Sequence, residues 1–270
     1  MYGDKVSAVM VTGKTIGRLP FALASIRSFV EQTYDNKELV IVTDHAELYE
    51  ALSLTCRKEY PEHNIRVFKE FPYTVLGALR NIGLRHAAGE YIAQWDDDDW
   101  SASNRIETQM RSVRRGEAAL FNYQIRYSFL NNSAFELEWF GTIPGIPGTV
   151  LFHRFSDSVW YRTEKRHEDS HLLVDHFKHR TVVIHNAPMK DIGPDAYIRF
   201  FHGQCNTWDH KHVMREYTDK PNTWALSDRS KKYLAEVLKQ HYSFESNKYE
   251  CNDRIGDKLG EAEQPQHSNP

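Results

Sequence analysis

The stretch YIAQWDDDDW, residues 91–100, is a short apolar run that ends in four consecutive carboxylates, with a tryptophan on either side of them. Two unit charges ~6 Å apart repel by about 3 kcal/mol at an effective dielectric constant of 20, so this run is costly beside aromatic surface unless cations balance it. The run YIAQW reads as a strand that is buried on both faces. The aspartates therefore follow directly on the end of a buried strand.

Three further apolar runs precede this one and also read as strands, at 6–11 (VSAVMV), 37–42 (KELVIV) and 64–71 (NIRVFKEF). Stretches with helical spacing of apolar residues separate them. This alternation predicts an α/β fold, in which a mostly parallel sheet carries helices on both faces. Ligands of such sheets bind at the carboxyl ends of the strands, which is where the aspartates stand.

The helices between these strands have recognisable starts and stops. Pro20 suits the first turn of one helix. A second helix runs from Ala46 to about Tyr60, and we expect Thr74 to cap a third helix that ends at His86. These boundaries complete a βαβαβαβ order over the first hundred residues.

The pattern changes after about Gly116, where aromatic-rich runs of an antiparallel type begin. Beyond this point, strands are expected at 119–130, 134–140, 149–154 and 181–186, and helices near Asp169 and from Ser227 to Tyr242.

The composition suits a globular protein of 270 residues and disfavours several classes. Lysine and arginine (34) nearly balance aspartate and glutamate (37), so the net charge of −3 gives no overall attraction to nucleic acid or anionic membrane. No window approaches a run of apolar residues long enough to span a bilayer, and the N-terminus does not read as a signal peptide; we therefore expect a cytoplasmic protein without a transmembrane segment. Three widely separated cysteines argue against a disulfide framework or a zinc site.

The four aspartates allow two interpretations. On an extended segment, Asp96 and Asp98 point one way and Asp97 and Asp99 the other, so a D-x-D pair can converge on one divalent cation. Hard oxygen ligands suit Mg²⁺ or Mn²⁺. The other interpretation is a solvated acidic turn in which Asp99 or Ser101 caps the next helix. The position after a buried strand, between two tryptophans, favours the cation.

Five ordered motifs in the first 110 residues resemble family 2 glycosyltransferases of the GT-A fold. They are VSAVMVT in the opening strand, QTY (32–34) at a helix end, ELVIVTD in the second strand, RNIGLRHAAGEYI (80–92) and the DDDD run. The resemblance implies a Rossmann-like, mostly parallel sheet with a smaller antiparallel sheet on the acceptor side. It also implies a hexosyl- or related transferase that uses a nucleoside diphosphate sugar, UDP-linked by default, with Mn²⁺ or Mg²⁺ as cofactor.

The resemblance further implies roles for residues at the strand ends. The nucleobase and ribose would face the ends of the first two strands, and a metal ion would bridge the diphosphate as a Lewis acid, with Asp98 as its principal ligand. The residues expected to contact the nucleotide sugar are Thr12, Asp44, Arg80, Asp96, Asp97 and Arg199, and those expected at the metal are Asp98, Asp96 and His202.

RHEDSHLL supplies an acidic pair, Glu168 and Asp169, at the start of a helix, where the family places its catalytic acids. Asp169 would deprotonate the acceptor hydroxyl in a single displacement with inversion. Alternatively, the two acids only complement the helix dipole. In YIRFFHGQCNTW (197–208), Arg199 and His202 would meet the leaving diphosphate, and His202 either completes the metal shell or is an ordinary structural histidine.

The implied organisation is one catalytic domain over 1–215, with a nucleotide-sugar-binding half (1–115) and an acceptor-side half (116–215). A C-terminal helical extension (216–255) and a flexible tail (256–270) follow.

The chain departs from the family pattern beside the expected nucleotide. Val11 stands in place of a Pro, Gly13 and Lys14 in place of Tyr-Asn, and Thr43 in place of an Asp, so the nucleobase stays open. Two other classes also fit the carboxylates: a metal-dependent phosphohydrolase and a non-catalytic nucleotide-sugar-binding module. The sequence leaves open the acceptor, whether glycan, lipid, protein or modified nucleic acid, and the oligomeric state.

Overall fold

The computed structural model of the chain describes residues 3–72, 74–139, 143, 145–154, 159–186, 197–202, 206 and 223–242. Within these ranges, seven strands form a main sheet and five form a smaller one. The tail at 256–270, for which flexibility is predicted, lies outside the described residues, as do Cys205 and Cys251.

The first half of the chain forms the expected alternation of strands and helices. β1 pairs in parallel with both β2 and β4, and β2 pairs in parallel with β3, so the carboxyl ends of these strands meet at one edge. The elements are β1 Val6–Thr12, α1 Leu19–Val30, β2 Lys37–Thr43, α2 Ala46–Glu59, β3 Ile65–Lys69, α3 Leu76–His86 and β4 Tyr91–Asp96. The parallel sheet predicted from the sequence is confirmed.

The second half extends the main sheet and builds the smaller one. Its elements are β5 Asp99–Trp100, α4 Arg105–Met110, β6 Ala118–Phe121, β7 Tyr123–Ser128, β8 Ser133–Glu138, β9 Leu151–His153, α5 Glu168–Phe177, β10 Val182–His185, β11 Ile198–Phe201, β12 Thr223–Trp224 and α6 Asp228–His241. The strand orders are β10-β6-β9-β4-β1-β2-β3 and β12-β8-β7-β11-β5. In the smaller sheet the β7–β11 pair is parallel and the other three pairs are antiparallel.

Helices cover both faces of the main sheet, as the sequence predicts. On one face, α1, α2 and α4 contribute Ile26, Leu52 and Ile106 to a buried cluster. On the other face, α3 and α5 contribute Leu84 and Leu172. Burial of an aliphatic side chain of this size stabilises the fold by ~1.5–3 kcal/mol relative to exposure, so this packing fixes the sheet edge that carries the aspartates.

The amphipathic helix predicted near the C-terminus is also confirmed. Ser227 caps α6 by accepting a hydrogen bond from the backbone N–H of Ser230 at 3.1 Å. Leu234 and Val237 pack with Phe200 of β11 in the core beside the smaller sheet. The division of the chain at residue 215 stays a prediction. In the described ranges, no helix combines the length and the apolar character needed to cross a membrane.

Two local predictions were wrong. The strand expected over 119–130 divides at Asn122 into β6 and β7, because the Asn122 amide donates to the carbonyl of His185 while its carbonyl accepts from Trp139, and the chain passes there from one sheet to the other. Thr74 does not cap α3. Its hydroxyl donates to the carbonyl of Phe71 at 2.7 Å and closes the turn after β3, and Val75 takes the N-cap position without a side-chain cap.

Candidate active site

The acidic run lies at the carboxyl edge of the main sheet, but it is not extended. Residues 97 and 98 form a turn between β4 and β5. The predicted alternation of the four side chains was therefore wrong. Asp97 and Asp98 contact the same arginine, whereas Asp96 and Asp99 each have partners of their own.

Neighbouring elements hold this turn in place. Ser25 of α1 donates through its hydroxyl to the carbonyl of Asp96 at 2.7 Å. The buried Arg105 of α4 donates to the carbonyl of Gln94 at 2.8 Å and to the Ser101 hydroxyl at 2.9 Å. Because these bonds reach the backbone on both sides of the turn, the four carboxylates have a defined placement.

Arg18 contacts both residues of the turn, a role that was not predicted from the sequence. Its Nε donates to Asp97 Oδ2 at 2.7 Å, its Nη2 contacts the other oxygen of Asp97, and Nη2 also donates to Asp98 Oδ2 at 3.1 Å. All three side chains are largely buried. Its position could have indicated this role. Arg18 lies just before α1, at the sheet edge where cations are expected to balance the four carboxylates.

Arg80 joins the end of β4 to the start of α5. Its Nη2 donates to Asp96 Oδ1 at 2.8 Å, and its Nε donates to Glu168 Oε1 at 3.0 Å. Gln94 also donates to Asp96 Oδ1, at 3.2 Å. Burial raises the pKa of Glu168, an effect that Arg80 opposes. One guanidinium thus brings together Asp96, which is expected to contact the donor, and Glu168, which belongs to the expected catalytic pair.

Asp169, the expected base, follows Glu168 and is only half-buried. Its Oδ1 accepts a hydrogen bond from the backbone N–H of Ser170 at 2.6 Å. His167, at the N-cap of α5, has a left-handed backbone with φ of 64°. The catalytic role of Asp169 stays a prediction.

Asp98 and His202 are the two expected metal ligands that the structure brings together. His202 Nε2 lies 3.3 Å from Asp98 Oδ2, and the imidazole stacks on Phe21 with ring centroids 4.2 Å apart. Burial acts to raise the pKa of Asp98, but Arg18, His202 and Arg199 outweigh it and hold that pKa below its ordinary value.

The donor chemistry of this pair fits a hard divalent cation. Mg²⁺ is usually bound by one or two carboxylates together with phosphate oxygens rather than by an all-protein cage. Imidazole also suits first-row divalent metals. Asp96, the third expected ligand, is turned towards Arg80 instead, and in the described part of the chain no group of three or more His, Cys, Asp or Glu residues is arranged to hold a metal.

Asp99 belongs to the smaller sheet. It accepts a short hydrogen bond from the Tyr197 hydroxyl and another from the Phe200 backbone N–H at 3.3 Å, and it pairs with Arg199 across the β5–β11 ladder. Burial and the neighbouring Asp98 raise its pKa well above the ordinary value, against the opposing charge of Arg199. Arg199 lies beside Asp99 in the ladder and opposes the rise of its pKa, and the contact of Arg199 with a diphosphate stays a prediction.

A cleft opens beside Asp44, beyond the carboxyl ends of β2 and β3. Its volume is about 280 Å³, and its lining residues are Asp44, Ala46, Lys69, Glu70, Phe71 and Pro72. The Phe71 side chain is 83% exposed. On the neighbouring strand, Thr12 carries a buried hydroxyl for which the described residues supply no hydrogen-bond partner, a feature that costs roughly 1–3 kcal/mol.

Two glycines allow close approach at this edge. A Cβ at Gly13 would collide with Asp44 Oδ1. A Cβ at Gly148 would lie 2.9 Å from Asp96 Oδ2 and 3.1 Å from the Tyr197 hydroxyl. The small residues keep both carboxylates in the positions described.

The chain is similar to known proteins in sequence and in fold. Residues 10–183 match the model of glycosyl transferase family 2. Glycosyltransferase GlyA of Streptococcus pneumoniae serotype 4 is 33% identical over 160 residues, which are 58% of this chain and 20% of GlyA. UDP-Glc:alpha-D-GlcNAc-diphosphoundecaprenol beta-1,3-glucosyltransferase WfgD of Escherichia coli is 30% identical over 112 residues, 41% of this chain and 42% of WfgD. The chain thus spans less than half the length of either relative.

Two solved structures share the fold. Mannosyltransferase PcManGT from Pyrobaculum calidifontis, in complex with GDP-Man and Mn²⁺, superposes with a TM-score of 0.55 at 13% identity, over 74% of this chain and 57% of that one. S. aureus TarS 1–349 in complex with UDP-GlcNAc gives 0.54 at 14% identity, over 73% and 58%. These neighbours confirm the GT-A fold. Because the family model spans more than half of its residues, the chain belongs to glycosyl transferase family 2.

Proposed function

We propose that the chain is an inverting, metal-dependent glycosyltransferase that moves a sugar from a nucleoside diphosphate sugar to an acceptor hydroxyl. The observation that carries the proposal is the bridge from Asp96 through Arg80 to Glu168, with bonds of 2.8 and 3.0 Å. This bridge fixes Glu168, the neighbour of the expected base, relative to Asp96, the carboxylate expected to contact the donor. A single displacement requires that the donor and the base be held at a fixed distance and orientation.

The nucleoside half of the donor fits the cleft beside Asp44. The carboxylate can accept a hydrogen bond from a ribose hydroxyl or a base N–H, and the exposed Phe71 offers a face for stacking. PcManGT binds GDP-Man and TarS binds UDP-GlcNAc, so both UDP and GDP are candidates; UDP is our default.

The diphosphate fits the end of β4. Asp98 and His202 would hold a divalent cation, with Asp96 as a third candidate ligand. The Mn²⁺ in the PcManGT complex supports the choice of a divalent cation. When bound, such a cation supplies Lewis-acid neutralisation of the charge on the leaving diphosphate.

The transfer itself is assigned to Asp169. Its carboxylate takes the proton of the acceptor hydroxyl while that oxygen bonds to the anomeric carbon. The bond from this carbon to the diphosphate breaks, the diphosphate leaves with the electron pair, and the configuration inverts. Glu168, held by Arg80, positions the helix turn that carries Asp169.

No specific observation favours the other two classes. A two-metal phosphohydrolase needs several carboxylates around paired ions, and such a group is absent from the described ranges. A non-catalytic binding module would not need the ion pair that joins Glu168, at the acidic start of α5, to Arg80 of the donor site.

Titration calorimetry with UDP and with GDP, in Mn²⁺ and in chelator, tests the donor half of the proposal. We expect micromolar binding of at least one nucleotide in Mn²⁺ and much weaker binding in chelator. Absence of binding by both nucleotides in Mn²⁺ contradicts the proposal.

A further inference from the structure

The Asp98 oxygen that faces His202, the other expected metal ligand, is already crowded. Within the described part of the chain, three nitrogen atoms surround Asp98 Oδ2: Arg18 Nη2 at 3.1 Å, Asn206 Nδ2 at 3.2 Å and His202 Nε2 at 3.3 Å. The amide is neutral, and a neutral imidazole can become a ligand in its own right. The guanidinium is always charged and has no lone pair to offer, so of the three it alone must oppose a cation at this oxygen.

Arg18 is held at this place from two sides. Its backbone lies at the end of a short turn after β1, where its N–H donates to the Thr15 carbonyl at 3.2 Å. Its guanidinium forks onto both oxygens of Asp97, which is 4% exposed. Asp97 therefore directs a guanidinium at its neighbour Asp98 and, being almost fully buried, has little surface left for a nucleotide.

We propose that Arg18 is a gate on the donor site: it competes with the divalent cation for Asp98 and moves to the diphosphate when cation and nucleotide bind together. The inference rests on the proposed function and deepens it. Asp97 acts in this scheme as the tether of Arg18 and not as a direct ligand of the donor.

The competition couples the two ligands. A cation alone must part Arg18 from Asp98 and lie beside a like charge, which weakens its binding. A diphosphate brings negative charge that accepts the displaced guanidinium in a charge-assisted hydrogen bond. Each ligand therefore raises the affinity of the protein for the other, and by linkage the two factors are equal.

The test measures Mn²⁺ binding by the loss of the free-ion EPR signal, without nucleotide and with UDP or GDP. Arg18→Gln keeps a polar side chain, although a shorter one, and removes the charge. Without nucleotide we expect it to bind Mn²⁺ about tenfold more tightly than the unmodified protein. With the nucleotide that binds, we expect most of the coupling between the two ligands to be lost.

Two further variants control for charge and folding. Arg57→Gln, on the exposed side of α2, removes the same charge from the surface and should leave both affinities unchanged. Arg18→Lys keeps the charge without the fork and should give an intermediate Mn²⁺ affinity. Thermal melting in chelator should show that Arg18→Gln is folded but less stable than the unmodified protein. Replacing the chelator with Mn²⁺ should raise its melting temperature by more than that of the unmodified protein.

A double-mutant cycle with Asp97→Asn tests the tether. If Asp97 acts only through Arg18, Asp97→Asn changes Mn²⁺ and nucleotide affinity much less in the Arg18→Gln background than in the unmodified protein. An equal loss of nucleotide affinity in both backgrounds would make Asp97 a direct donor ligand and overturn that assignment.

Mn²⁺ affinity of Arg18→Gln that equals or falls below that of the unmodified protein overturns the gate. This comparison uses Mn²⁺ alone, so it stands apart from the proposed function. If the unmodified protein binds neither UDP nor GDP in Mn²⁺, the proposed function fails even where the competition for Asp98 is observed.

Discussion

Arg80 and Glu168 form a buried ion pair, with 3.0 Å between Nε and Oε1, although 88 residues separate them in the sequence. The same guanidinium holds Asp96 at the end of β4. The pair therefore joins the half of the chain that resembles a nucleotide-binding fold to the helix expected to carry the catalytic base.

Replacing Arg80 with Lys should impair this junction, because an ammonium lacks the planar fork that reaches both carboxylates. We expect a loss of about 1–3 kcal/mol in the free energy of unfolding, since the buried Glu168 and the partly buried Asp96 lose hydrogen bonds to a charged donor. Nucleotide affinity should fall as well. Urea denaturation and calorimetry measure the two effects. Arg85→Lys, exposed on the same helix, is the matched control, and equal behaviour of the two variants would contradict the assigned role.

Replacing Asp169 with Asn should leave the donor site intact and remove the base. Turnover should fall by roughly 10²–10⁴-fold, the usual contribution of a general base, while nucleotide affinity stays within about twofold. Single-turnover kinetics with a radiolabelled donor measures the first quantity and calorimetry the second. A variant that turns over at the normal rate would exclude Asp169 as the base.

Replacing Gly13 with Ala should displace Asp44 without unfolding the protein. The new methyl group collides with the far end of a half-buried side chain, which can rotate away. We therefore expect Gly13→Ala to reproduce the nucleotide affinity of Asp44→Ala, with less than about 1 kcal/mol lost in stability, as for a change outside the core. If Gly13→Ala binds nucleotide normally while Asp44→Ala does not, the contact between the two residues is not what places Asp44.

A pH effect on stability is expected at the opposite edge of the main sheet, where Glu38 is buried. Burial acts to raise its pKa, but hydrogen bonds from Ser7, the Ala88 amide and Lys5, with the charge of Arg66, lower the pKa below its ordinary value of 4.5. A depressed folded-state pKa gives stability that is present above the unfolded pKa and is lost as the pH falls through the folded one.

Glu38→Gln should accordingly reduce the free energy of unfolding by about 1–3 kcal/mol at pH 7. The difference from the unmodified protein should shrink as the pH falls below 4.5. Chemical denaturation between pH 3 and pH 7 measures this, and nucleotide affinity at pH 7 should not change because Glu38 is remote from the aspartates. A difference that is constant across the range would rule out the depressed pKa.

The sequence predicted the sheet and its acidic edge well, because buried parallel strands and their helices have local signatures. It placed the strand that ends at Asp96, the helix that starts near Asp169 and the last helix. These features depend on the spacing of apolar residues within a short segment, so each can be predicted without knowing its distant contacts.

The sequence predicted the contacts within the site less well, because they join residues far apart. Asp97 pairs with Arg18 across 79 residues, and nothing in the spacing of the aspartates indicates that partner. The alternation expected for Asp96 to Asp99 assumed an extended segment, and the turn at residues 97 and 98 removed it. Asn122 interrupts an apparently continuous strand through bonds to residues in other elements.

The most direct test of the central claim is the product of the reaction. The purified chain, incubated with UDP- and GDP-sugars and Mn²⁺, should release a nucleoside diphosphate from at least one donor. By NMR, the transferred sugar, or the freed sugar before it mutarotates, should have the opposite anomeric configuration. Release of inorganic phosphate without the sugar, retention of configuration, or no turnover of any donor would contradict the account.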